Sequence, residues 1–77
     1  MPHISVKMIE GRSEEQKKEL AKALEKALTD TLGCSSQWVT VSIDDYNGKE
    51  WQEVFKNDIE GSSHLYKKPE YDPKILL

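Results

Sequence analysis

Seventy-seven residues allow one domain, of a size at which a single hydrophobic core is marginal, and only 36% of them are hydrophobic against 32% charged. A formal net charge of −3 argues against general nucleic-acid binding. The lone Cys34 excludes an intrachain disulfide and fits a reducing, cytoplasmic setting, while no apolar run approaches the ~18 residues of a membrane span and no signal peptide precedes the first strand.

The chain opens on Met1-Pro2-His3-Ile4-Ser5-Val6-Lys7-Met8, in which Ile4, Val6 and Met8 alternate with Ser5 and Lys7. That period of two predicts a β-strand. Proline is tolerated at its head, where no ladder hydrogen bond has to be donated. Removal of Met1 would leave Pro2 with a free secondary amine, so other candidate residues are judged by whether they can reach that nitrogen. Glu10-Gly11-Arg12 reads as a turn. Ser13 then opens a helix, with Gln16 completing a capping box and Glu14 and Glu15 in the electropositive first turn.

Leu20, Ala23, Leu24, Ala27, Leu28, Thr31 and Leu32 recur at helical spacing along one predicted face, and Lys17, Lys18, Lys22, Glu25 and Lys26 read as a solvated remainder. Gly33 ends the helix after about 19 residues. Cys34 to Gln37 form a short connection, and Trp38 to Asp44 reads as a second strand with Val39, Val41 and Ile43 on one face. Strand, helix and strand make a βαβ unit, with a right-handed crossover and parallel strands.

Beyond it, Tyr46-Asn47-Gly48 is a turn, and Lys49 to Ile59 reads as a short helix with Trp51, Val54, Phe55 and Ile59 on one face. Gly61-Ser62-Ser63 interrupts it, Leu65-Tyr66 briefly resume helix, and Tyr71 to Leu77 form an extended tail. The fold class is α/β, a single domain spanning residues 1–77. Lacking a disulfide or metal framework, it is expected to gain buried surface by assembling as an oligomer. His3, His64 and Cys34 have no metal-ligand spacing. Gly61-Ser62-Ser63-His64 lacks the strand–turn–helix setting of a nucleophilic serine. Trp38 reads as packing, and Lys67-Lys68 as a solvated pair unless they add charge near a site.

The start Met1-Pro2-His3-Ile4, the Glu10-Gly11-Arg12-Ser13 turn, Glu15-Gln16-Lys17, the βαβ unit and a later tryptophan together resemble the 4-oxalocrotonate tautomerase family, over essentially the whole chain. Trp51-Gln52 and Lys67-Lys68-Pro69-Glu70-Tyr71 look like the longer PptA-like members, which form smaller assemblies than the hexameric short ones. The resemblance implies keto–enol tautomerisation of a 2-oxo acid or enol without cofactors, with Pro2 as base. A general base works best with a pKa near the operating pH. An apolar pocket and a nearby cation both disfavour a protonated amine.

Arg12 matches a substrate-binding position, where a planar guanidinium holds a carboxylate bidentately. Trp51 matches an aromatic residue lining the pocket. Thr40 falls where the short members carry an arginine, so a second carboxylate loses its ionic partner here, and a monoacid is expected to be preferred. Pro2 and Arg12 bracket a strand at ~3.3 Å per residue, more than ~20 Å apart. Both serve one site only if a neighbouring subunit supplies Arg12, and the resemblance to the longer members implies that the assembly is a dimer rather than a hexamer. Dehalogenation or decarboxylation by the same proline, or a non-catalytic binding module, are the alternatives.

Overall fold

Strands β1 (His3–Ile9) and β2 (Thr40–Tyr46) lie side by side and parallel, linked by helix α1 (Glu14–Leu32), in a computed structural model that describes all 77 residues. Their register runs from His3 opposite Thr40 to Ile9 opposite Tyr46. Along β1 the expected alternation holds: Ile4, Val6 and Met8 are half-buried while His3, Ser5 and Lys7 face solvent.

Both ends of α1 form as the local signals dictate. The Gln16 N–H donates to Ser13 Oγ at 3.1 Å, and the Ser13 N–H donates back to Gln16 Oε1 at 2.9 Å. Gly33, at φ 70°, closes the helix by donating to the Thr29 carbonyl at 2.8 Å. The buried face is rotated from the predicted one. Leu20, Leu24 and Leu28 turn inward together with Lys17, Ala21 and Glu25, whereas Ala23, Ala27, Thr31 and Leu32 stay exposed. Lys17 is not a solvated charge: its ammonium forms an ion pair with Asp45 of β2 and also lies 3.7 Å from Glu14. The bond to Asp45 lifts its pKa above the ordinary lysine value.

Strand β2 begins two residues later than its apolar pattern suggested and continues to Tyr46. Ser36–Trp38 form a 3₁₀ turn instead, capped by Ser35, whose Oγ accepts from the Gln37 N–H. Competition from that local cap takes Trp38 out of the strand and leaves it 46% exposed.

Helix α2 (Gly48–Val54) starts on a second reciprocal cap, Asn47 with Glu50, both bonds at 2.8 Å. It runs on as a π-helical turn over Phe55–Glu60, so that Val54 at the end of α2 is followed by half-buried Phe55 and Ile59. Leu65-Tyr66 form no helix and stand exposed. Between the Gly61-Ser62-Ser63 break and Pro69 there are too few residues to repay the cost of a helical nucleus.

The tail is not extended either. Pro73–Leu76 make a 3₁₀ turn, with Asp72 accepting from the Lys74 N–H at 2.9 Å and Pro73 presetting the first turn. This turn packs on α2, where Gln52 Nε2 donates to the Pro73 carbonyl at 2.8 Å. The approach is close enough that a Cβ on Gly48 would overlap the Leu76 carbonyl.

The isolated chain is a slab of 40 × 31 × 18 Å. Val54, 8% exposed, is its one buried residue, and no side chain is wholly out of solvent. The accessible surface is 6118 Å², against about 4,800 Å² expected for a folded monomer of 8.9 kDa. No helix is long and apolar enough to cross a membrane.

Candidate active site

The four residues singled out from the sequence fall at opposite ends of the two-stranded sheet. At the head of β1, the Thr40 N–H donates to the Pro2 carbonyl at 3.2 Å, which fixes the direction in which the chain leaves the sheet. Pro2 is half-buried there, and Met1 projects beyond it with 91% of its surface exposed. Thr40 is the register partner of His3, and its Oγ1 lies 2.7 Å from His3 Nδ1. Ser42 Oγ reaches the other ring nitrogen at 3.4 Å. Pro2, His3, Thr40 and Ser42 thus form one polar cluster around the chain terminus.

Arg12 and Trp51 meet at the other end, seven strand residues away. They line a cleft of about 500 Å³ with Met8 and Ile9 from β1 and Tyr71 and Leu76 from the tail, and Lys7 sits at its edge. Gly11 makes the turn that delivers Arg12, at φ 123°, a conformation side chains with a Cβ rarely adopt. One arm of the guanidinium is anchored, Nη1 donating to the Ile9 carbonyl at 3.2 Å. The remaining N–H groups stay available for a carboxylate.

Trp51 stands edge-on to Tyr46, ring centres 6.3 Å apart, and its indole N–H donates to Tyr71 Oη at 3.0 Å. Lys7 is paired with Asp58 of the π-helical turn. That hydrogen bond raises the Lys7 pKa against the opposing effect of desolvation, so a cation persists beside the cleft. The combination suits a small acid with an apolar body: a fork of donors for the carboxylate, and aromatic and aliphatic walls for the rest.

The cleft therefore holds two of the four expected residues, and one chain does not bring Pro2 and Thr40 to it. Lys67 and Lys68 do not line it, and Lys67 lies in solvent 3.6 Å from Glu70. Sequence reasoning missed Lys7, Tyr71 and Leu76. Lys7 was hidden as one polar position of an alternating strand. Tyr71 and Leu76 had a usable signal in Asp72-Pro73, a cap followed by a helix-starting proline, which predicts that the tail turns back.

The sequence matches the family described as Tautomerase enzyme over residues 2–53. It is 44% identical over 73 residues to a probable tautomerase of Xylella fastidiosa, covering 92% of this chain and 89% of that one. A 2-hydroxymuconate tautomerase of Bacillus subtilis is 40% identical over 45 residues, 58% of this chain and 73% of its own. Among solved structures, YwhB, a homologue of 4-oxalocrotonate tautomerase, aligns with a TM-score of 0.62 at 35% identity, covering 64% of this chain and 80% of that one.

Proposed function

The chain belongs to the tautomerase family and is an isomerase, and from that premise we propose that Pro2, freed by removal of Met1, is the general base of a cofactor-independent keto–enol tautomerisation of a 2-oxo acid. The proline nitrogen takes the proton from the enol hydroxyl and returns it to the neighbouring carbon. Arg12 holds the carboxylate, Trp51 packs on the apolar body, and Thr40 borders the substrate beside Pro2. All 77 residues act as one domain, and the working unit is an oligomer, with a dimer favoured.

The observation that carries this reading is the setting of Pro2. It lies half-buried at the head of β1 with its carbonyl bound by Thr40, and Met1 extends freely into solvent, accessible to an aminopeptidase. An ordinary α-amine titrates near ~7.7–8.0. The guanidinium of a neighbouring subunit would disfavour its protonated form and so favour the free base.

The test is direct. Intact mass should show Met1 absent from the active protein. Pro2→Ala should lower kcat/KM for ketonisation of phenylenolpyruvate by about 10²-fold or more while the protein still folds, that being the usual contribution of a positioned general base. A residue added before Pro2, which converts the amine to an amide, should abolish turnover. Near-parental rates in either variant would remove Pro2 from the mechanism.

A further inference from the structure

Tyr71 lies outside residues 2–53, over which the family model matches, yet it forms a wall of the Arg12 cleft. Its hydrogen-bonding direction is decided by its partner. An indole N–H only donates, so in the 3.0 Å bond to Trp51 the phenol oxygen must accept. The hydroxyl hydrogen of Tyr71 is therefore left over, on a residue 41% exposed and bordering the cleft.

The ring is also held in place. Phe55 packs edge-on against it with centroids 5.6 Å apart, and the following turn is tied down through the Gln52 bond to the Pro73 carbonyl. A donor whose position is set before substrate arrives needs no reorganisation when charge develops, which is what makes such groups effective.

We infer that Tyr71 is a catalytic residue, an oxyanion donor whose hydroxyl binds the 2-oxygen of the substrate while Arg12 binds the adjacent carboxylate. The inference rests on the reading of Arg12 as the carboxylate anchor. In a 2-oxo acid the two oxygen groups sit on neighbouring carbons, so a donor sharing the cleft with the guanidinium meets the 2-oxygen when the carboxylate is seated. When Pro2 takes the enol proton, the negative charge left behind is shared between the 2-oxygen and the next carbon. Tyr71 stabilises the oxygen share without transferring its proton, and the proline ammonium then returns the original proton to carbon. No proton is gained or lost overall.

The experiment is Tyr71→Phe in the full chain, with phenylenolpyruvate as substrate and 3-phenylpropanoate as competitive inhibitor. Phenylalanine keeps the ring that packs on Phe55 and removes only the hydroxyl. The expected result is a fall in kcat of about ten- to a hundredfold, below the 10²–10³ of a fully enclosed oxyanion site because this cleft is open, with KM changed by less than about threefold. The inhibitor has the carboxylate and no 2-oxygen, so its affinity should be unchanged.

A kcat/KM within about twofold of the parent would overturn the inference. So would an equal loss of inhibitor affinity, since Tyr71 would then only shape the pocket around Arg12 and Trp51. Pro2→Ala measured alongside separates the two readings: if it is inactive while Tyr71→Phe is not, the tyrosine alone has failed. If both retain activity, the proline mechanism fails with it.

Discussion

Thr40 brings a hydroxyl and no charge to the Pro2 end of the sheet, and that hydroxyl is already engaged by His3 at 2.7 Å. A substrate with a second carboxylate would find no ionic partner there, a difference of about 1.5–3 kcal/mol where a charged hydrogen bond is lost. The chain is therefore expected to prefer phenylenolpyruvate over 2-hydroxymuconate in kcat/KM. Thr40→Arg should shift the ratio toward the dicarboxylate by roughly ten- to a hundredfold, the same free energy expressed as a rate. Steady-state kinetics with both substrates decide it. A parent enzyme that favours the dicarboxylate would mean that another cation, with Lys7 the nearest to the cleft, has taken the role.

At the scale of elements, the tail depends on one missing methyl group. Because a Cβ on Gly48 would overlap the Leu76 carbonyl, Gly48→Ala should prise the 3₁₀ turn from α2 at a cost of about 1–3 kcal/mol, the usual penalty for overpacking. Hydrogen exchange should then rise at residues 74–77 while β1 and α1 keep their protection, and unaltered tail exchange would contradict this. The same contrast explains what could be read in advance. Elements whose signals are local, the Ser13–Gln16 box, the Gly33 stop and the alternation of β1, are as the sequence dictates. Where a long-range contact competes, reading failed. Lys17 looked solvated because Asp45 lies 28 residues away, and the turn of the tail is completed by Gln52. Pro2, Arg12, Thr40 and Trp51 were legible only as types in a pattern. That they divide between two ends follows from the strand register, and the Trp51–Tyr71 bond joins residues 20 apart with no periodicity to announce it.

The whole molecule is too open to be its own core. A Cα radius of gyration of 14.1 Å exceeds the ~11.5 Å of a compact chain this long, in line with the excess accessible surface. Leu32, Ile75 and Leu77 are each more than 60% exposed, and Ala23 and Ala27 leave a stripe of α1 uncovered. A two-fold partner would cover such surface, and two chains running in opposite senses would set the Pro2 end of one against the Arg12 end of the other. Each dimer would then hold two equivalent sites, each drawing on both chains. Pro2→Ala and Arg12→Ala proteins, each inactive, should regain about a quarter of parental activity when unfolded together and reassembled, because half the dimers are mixed and each mixed dimer has one intact site. No recovery, or a fully active monomer by light scattering, would refute the shared site.

The tail that bears Tyr71 and Leu76 reaches the cleft from beyond the family-matched residues, held to α2 by a few bonds and one close approach. Pro2 and Arg12, the proposed base and carboxylate anchor, sit at the head of the strand and on the turn after it, where a change of register would disturb both. The tail carries the cleft wall instead, and the hydroxyl that we infer meets the 2-oxygen. A lineage built on this plan can alter which acids it accepts by rewriting the tail positions around Tyr71, such as Leu76, while that hydroxyl is kept, so divergence in selectivity among its descendants should concentrate there.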